Sequence, residues 1–268
     1  MSWKWEDFTA PEFDRAVEEA GGVCVVPIGV IEKHGDHLPL GMDVFAARAV
    51  AERAAEKEPA IIFPFYLFGQ IHCAKHCPGT IAVKMRIALE LLEDVCDEIA
   101  RNGLRKIILM NGHGGNIAML GHFVRTMIEV ERDYVVHVLD LSGYHHPAVE
   151  SPEYKAMQES EFDYHAGEGE TSIMLAVDSE LVRMDAVADP ESGKPKGRLK
   201  HNPVTGKAIN WYADFPNHYA GDAATATKEK GELLMGKCVD SVAAVIKAVR
   251  EDDVTKELQD EFFARIRH

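Results

Sequence analysis

The chain has 268 residues and a formal net charge of −15. This acidity argues against nucleic acid and anionic membrane surfaces as partners, because both are polyanions and repel such a protein at long range. No apolar run approaches the roughly 18 residues of a membrane-spanning helix, and five scattered cysteines do not form a disulfide framework. We expect a cytoplasmic protein with one domain over residues 1–268.

Strand and helix signals alternate along the chain. Short apolar strands are predicted over residues 23–27, 60–63, 106–110 and 134–139. Amphipathic helices are predicted over residues 43–58, 84–102, 116–131 and 226–251. This order predicts an α/β fold with a mostly parallel β-sheet that is flanked by helices on both faces.

The segment after the first predicted strand concentrates metal-binding side chains. Glu32 and His34 are two residues apart, so they project to the same side of an extended segment. Asp43 follows a loop that contains Pro39 and Gly41. Carboxylates and imidazoles at a strand exit are suitable ligands for a divalent cation, so we expect these three side chains to converge.

A second segment of this kind has the sequence Asn-Gly-His-Gly-Gly-Asn over residues 111–116 and follows the strand predicted at 106–110. Its glycines allow the backbone to approach closely, and His113 is a further candidate ligand. Ligand sites in parallel sheets collect outside the carboxyl ends of the strands. Glu32 and His113 should therefore emerge at the same edge of the sheet.

A third segment, residues 165–172, has the sequence His-Ala-Gly-Glu-Gly-Glu-Thr-Ser and precedes an apolar run. It supplies His165, Glu168 and Glu170, which are one imidazole and two carboxylates. Together, the three segments predict a metal centre assembled from distant parts of the chain.

An aromatic segment without regular periodicity extends over about residues 185–222. A segment of this length in a compact domain is often a lid or an oligomer contact. It is equally compatible with a covering loop that packs on the core.

Several histidines allow two interpretations. The His-Cys-Ala-Lys-His-Cys sequence at residues 72–77 would form a zinc-binding face on a helix, but Pro78 and Gly79 follow at once. The alternative is a loop that delivers His76 to the substrate. His37 either supports the ligands through hydrogen bonds or contacts substrate. His145 and His146 either line the pocket or lie in an exposed loop.

Taken together, the three motifs resemble those of the creatininase family of metal-dependent amidohydrolases. The likeness extends from about residue 22 to residue 231 and includes the Glu-x-His pair with an aspartate eleven residues after the glutamate. A weaker fourth match is at residues 76–80, where relatives usually carry phenylalanine at the position of Cys77. The resemblance implies a three-layer α/β/α fold, a homohexamer and two divalent metal ions per subunit.

The resemblance also implies roles for the candidate ligands. Glu32 and His113 are expected to bind one metal and His34 the other, with Asp43 bridging the two. Carboxylate and imidazole ligands suit zinc, manganese or iron.

The remaining carboxylate ligand departs from the pattern of creatininase itself. That enzyme has a glutamate two residues after the histidine that matches His113, whereas this chain has Gly115. Glu170 is the replacement candidate, with Glu168 as the second choice. The departure weakens the case for creatinine as the substrate.

The resulting hypothesis is an amidohydrolase that cleaves a carbon–nitrogen bond, other than a peptide bond, in a small and possibly cyclic substrate such as creatinine. Two metals would activate a water molecule, and His165 with Glu168 would pass the proton to the leaving nitrogen. The alternatives are a formamide deformylase or small-peptide hydrolase of the same family, or a catalytically silent relative that keeps the metal site.

Overall fold

A computed structural model describes residues 2–142 and 148–266. Its main sheet consists of parallel strands, namely β1 (Val23–Ile28), β2 (Ile61–Ile62), β3 (Lys106–Asn111) and β4 (Val135–Asp140). Across the described ranges, the order of these strands is β2-β1-β3-β4. His145 and His146, the two possible pocket histidines, lie outside these ranges.

The helices, in chain order, are α1 (Ala10–Glu19), α2 (Met42–Lys57), α3 (Met85–Arg101), α4 (Ile117–Thr126), α5 (Pro152–Met157), α6 (Glu168–Asp178), α7 (Asn210–Asp214), α8 (Lys228–Glu251) and α9 (Val254–Ile266). A short antiparallel pair, β5 (Asp163–His165) with β6 (Ala220–Gly221), lies outside the main sheet. None of the helices in the described part of the chain is long and apolar enough to cross a bilayer.

Successive side chains of the central strands enter two separate cores. Val23 and Val25 of β1 pack with α2 and α8, whereas Cys24 and Val26 pack with α1, α3 and α4. This alternation follows from the two-residue period of a strand and requires helices on both faces of the sheet. The predicted mostly parallel α/β/α architecture is confirmed, whereas the single domain over residues 1–268 stays a prediction.

Some helices differ from the sequence-based expectation. The helix predicted over residues 116–131 ends at Thr126, because the chain then turns and the Arg132 guanidinium donates to the carbonyls of Met127 and Val130. Helices α1 and α9 were not predicted. The two glutamates of the third motif lie on the first turn of α6, whereas His165 is the last residue of β5.

The sheet places the first two motifs side by side. Ile28, at the end of β1, pairs with Asn111, at the end of β3. The chain leaves both strands in the same direction because they are parallel. Glu32 and His113 therefore emerge at the same edge, as the sequence predicted.

Candidate metal centre

The three motifs converge into one buried cluster of imidazoles and carboxylates. Candidate ligand atoms lie within 4.8 Å of one another in three overlapping groups. The groups are Glu32 with Asp43 and His113, His34 with Asp43 and Glu170, and Glu32 with His34 and His165. Glu32, His34 and Asp43 each belong to two groups. Asp43 directs Oδ1 at His34 Nε2 and Oδ2 at His113 Nδ1, which is the arrangement that a bridging carboxylate would have.

His113 directs one ring nitrogen at two carboxylates. Its Nδ1 lies 2.9 Å from Glu32 Oε1 and 2.9 Å from Asp43 Oδ2. Its Nε2 lies 3.0 Å from the carbonyl oxygen of Gln70. A carbonyl only accepts hydrogen bonds, so Nε2 carries the proton and the Nδ1 lone pair can face the carboxylates.

His34 has the same arrangement with its nitrogens exchanged. Its Nδ1 faces the carbonyl of Glu32 at 3.3 Å, while Nε2 lies 3.1 Å from Asp43 Oδ1 and 3.8 Å from Glu170 Oε2. Burial lowers the pKa of His34, but the charge and hydrogen bond of Asp43 outweigh it, so the pKa rises to about 10. The surrounding carboxylates therefore favour a positive charge at this point.

The donor set fits divalent metal ions. Glu32 Oε1 and Asp43 Oδ2 are buried and accept no well-aligned hydrogen bond within the described residues, although both face His113 Nδ1 at 2.9 Å. Metal-binding histidines characteristically donate their second ring N–H to a backbone carbonyl, as His34 and His113 do. Buried carboxylate oxygens that face imidazole nitrogens suit a cation of the zinc or manganese type.

His165 lies against this cluster. Its ring is 4.2 Å from that of His34, its Nε2 faces the carbonyl of Lys33 at 2.9 Å, and its Nδ1 is 3.8 Å from Glu170 Oε2. Burial and the charge of His34 lower the pKa of His165 to about 3, although the charge of Glu32 opposes them. The ring is therefore neutral near pH 7, with its proton on Nε2 and the Nδ1 lone pair on the side of Glu170.

Two of the candidate carboxylates lie at helix N-termini. Asp43 is in the first turn of α2, and Glu170 is in the first turn of α6. The helix dipole favours negative charge at these positions. Glu170 Oε2 also accepts a hydrogen bond from the Ala166 amide at 2.6 Å, but burial and the charge of Asp43 raise its pKa to about 7.

The atoms that surround Gly115 leave no room for a glutamate side chain at this position. A Cβ atom at this position would lie 2.7 Å from the carbonyl oxygen of Gln70 and would collide with the His113 ring. As this chain is packed, position 115 therefore has no room for a ligand side chain. Glu170 instead brings a carboxylate to the His34 side of the cluster.

Glu168 is not brought into the cluster. None of the ligand groups found among the described residues contains it. Its oxygens accept hydrogen bonds from the amides of Glu159 and Ser160 and from Lys230 Nζ, the last at 2.5 Å. These contacts favour a structural role over the predicted proton transfer.

The two predicted substrate-binding histidines lie at the margins of the site. His37 is buried, and its Nε2 lies 2.9 Å from Thr171 Oγ1. His76 is exposed, and its Nε2 can donate to the carbonyl of Pro216 at 2.9 Å. The 72–77 segment forms a 3-10 turn over His72–Ala74 rather than the α-helix that the zinc-face interpretation required.

The sequence did not identify His218 and Trp211, which complete the wall of the cluster. His218 Nε2 lies 2.5 Å from Glu32 Oε2, and the Trp211 indole donates to His218 Nδ1 at 3.0 Å. Both residues belong to the aromatic segment, which therefore covers the site. The only sequence signal was the concentration of aromatic residues around this histidine.

A cavity of about 770 Å³ opens onto the cluster. Glu32, His113, His165, Glu170, Trp211 and His218 line its polar end. Apolar side chains of α2, α6 and α8 line another part of its wall. A volume in this range accommodates a small-molecule ligand.

Known proteins of one family resemble this chain. The sequence profile of that family, described as "Creatininase: Creatinine amidohydrolase", matches residues 6–246. Creatinine amidohydrolase of Pseudomonas putida is 30% identical over 254 residues, which cover 90% of this chain and 95% of the relative. Mycofactocin precursor peptide peptidase of Mycolicibacterium smegmatis is 29% identical, with 86% of each chain covered. 3-Dehydro-scyllo-inosose hydrolase of Thermotoga maritima is 27% identical and covers 85% of this chain and 78% of the relative.

Solved structures of creatininase have the same fold. One creatinine amidohydrolase structure aligns with a TM-score of 0.79 and 27% identity, covering 94% of this chain and 99% of that one. A creatininase mutant described as Zn-Zn type aligns with a TM-score of 0.79 and 26% identity, covering 94% of this chain and 100% of that one.

Proposed function

This chain belongs to the creatininase family, and on that basis we propose that it is a metal-dependent hydrolase that cleaves an amide carbon–nitrogen bond in a small molecule. The observation that carries the proposal is the convergence of five predicted ligands, Glu32, His34, Asp43, His113 and Glu170, in which the two oxygens of Asp43 face two different histidines. This donor set supports two divalent ions with Asp43 between them. Zinc, manganese and iron are the candidates.

The chemistry follows from this donor set. Divalent ions held by these residues would lower the pKa of a water molecule and polarise a carbonyl oxygen of the substrate. Glu32, Asp43 and Glu170 would balance the positive charge of the ions inside the protein. His165 donates from Nε2 to the Lys33 carbonyl and directs Nδ1 toward Glu170 Oε2 at 3.8 Å, so Nδ1 is placed to take a proton from the attacking water and pass it to the leaving nitrogen.

The proposal names the type of bond that is cleaved and does not assign a single substrate. The relatives described above carry the names of a creatinine amidohydrolase, a peptide peptidase and a hydrolase of 3-dehydro-scyllo-inosose, at 27–30% identity. These identities do not favour one reaction. Gly115 argues against creatinine, so a formamide, another lactam or a short peptide are equally suitable first substrates. A cytoplasmic location and a homohexamer remain predictions.

The test combines metal content with hydrolysis. We expect elemental mass spectrometry to find about two divalent ions per subunit, and chelation to abolish turnover of at least one substrate in a panel of creatinine, N-formyl amides, lactams and dipeptides. Asp43→Ala is the matched variant, because it removes the shared ligand. No metal after reconstitution would contradict the proposal. Two ions without turnover of any amide would instead support a catalytically silent relative.

A further inference from the structure

Glu32 is held by a histidine that lies far away in the sequence. His218 and Glu32 are each 1% exposed, and His218 Nε2 approaches Glu32 Oε2 at 2.5 Å. The other oxygen, Oε1, faces His113 Nδ1 at 2.9 Å. His218 therefore engages one oxygen of this carboxylate and leaves the other directed at the candidate metal position.

Trp211 determines which nitrogen of His218 carries the proton. An indole N–H can only donate, and Trp211 Nε1 donates to His218 Nδ1 at 3.0 Å. Nδ1 must then be the unprotonated nitrogen, so the ring proton lies on Nε2 and is donated to Glu32. Both ring nitrogens are engaged, which leaves His218 without a free lone pair to bind a metal itself.

The backbone supports a specific role for this position. His218 has a φ of 54°, in the left-handed region that residues other than glycine rarely adopt. Its carbonyl also accepts a hydrogen bond from the Gly35 amide at 3.2 Å. Such conformations persist where the surrounding contacts enforce them, and they cluster at functional sites. Here the contacts connect His218 to the segment that carries Glu32 and His34.

We propose that Trp211 and His218 are positioning residues that orient Glu32 as a one-oxygen metal ligand. The inference rests on the proposed metal-dependent function and extends it to two residues outside the recognised motifs. Without the His218 N–H, Glu32 Oε2 would be buried without its partner and the carboxylate would be free to rotate. Groups that orient metal ligands in this way typically contribute about 10–100-fold to metal affinity.

The test is a titration of the metal-free protein with Zn²⁺ in competition with a chromophoric chelator. We expect His218→Ala to weaken the tighter binding step at least about 10-fold. His218→Gln should restore most of this loss, because its amide can donate to Glu32. The Zn²⁺ affinity of Trp211→Phe should lie between those of the wild type and His218→Ala, because the tautomer of His218 is then no longer fixed.

Two controls separate orientation from general destabilisation. The first control is Tyr212→Phe, which changes the residue next to Trp211 in the sequence. Tyr212 packs against His76, and we expect this variant to bind Zn²⁺ with wild-type affinity. Nitrogen NMR of the metal-free wild type should show His218 protonated on Nε2 alone, and Trp211→Phe should change this signature. A variant that merely loosens the fold would lower the melting temperature without changing the tautomer.

The outcomes are distinct. Wild-type affinity in His218→Ala, or a proton on Nδ1 of His218 in the wild type, would overturn the inference and leave the proposed function intact. Failure of the wild-type protein to bind Zn²⁺ at all would overturn both. Equal weakening in His218→Ala and His218→Gln would show that packing, rather than the donated hydrogen bond, supports Glu32.

Discussion

Replacing Lys230 with methionine should destabilise the protein far more than the loss of an ordinary surface charge. Lys230 is 3% exposed and Glu168 is 0% exposed, and their ion pair measures 2.5 Å. Removing one partner of a buried pair costs about 3–5 kcal/mol, because the other charge is left unpaired. Glu168 keeps its backbone donors from Glu159 and Ser160, so we expect the lower end of this range.

The assay is thermal unfolding of the metal-free protein, followed by circular dichroism. For a chain of this size, about 3 kcal/mol corresponds to a fall in melting temperature of roughly 6–12 °C. The matched control is Lys237→Met, two turns further along α8, where the pair between half-buried Lys237 and exposed Glu153 contributes at most about 1 kcal/mol. Glu168→Gln added to Lys230→Met should recover most of the loss. Equal falls for Lys230→Met and Lys237→Met would refute the argument.

Further outcomes follow from the same geometry. Asp43→Ala should lose both ions, whereas His165→Ala should keep them and slow turnover by about 10²–10⁴-fold, as metal analysis and kinetics can determine. Zinc binding near pH 7 should release protons, because His34 with a pKa of about 10 is charged without metal. Calorimetry in buffers of different ionisation enthalpy tests this, and a binding enthalpy that is the same in every buffer would contradict it. Gly231→Ala should lower the melting temperature, since its Cβ would collide with a carbonyl of α6. Gly236→Ala in the same helix meets no neighbouring atom and should raise it slightly.

The parts of the fold that were predicted from sequence are those with a strong local signal. The strands β1 and β3 are buried on both faces, so they read as uninterrupted apolar runs, and α3 has a clear amphipathic period. The candidate ligands could be identified from the sequence for the same reason, because each lies in a short motif directly after a strand or at the start of a helix.

The contacts that sequence reasoning missed join distant positions. Nothing near Glu168 indicates Lys230, which follows 62 residues later, and Glu168 was therefore interpreted as an active-site acid. His218 is 186 residues from Glu32 in the sequence. The first turn of α6 contains Gly169 between its two glutamates, which weakened the helix signal.

The wide spacing of the candidate ligands has a consequence for how the protein matures. Glu32 and Glu170 come together only after β1, β3 and α6 have packed, so a metal ion finds no ready site on the nascent chain. The positive end of α2 meanwhile favours the Asp43 carboxylate before any cation arrives. Metallation is therefore expected to be a late step on a finished fold. The identity of the ion would then depend on which metals the cell supplies to the folded protein.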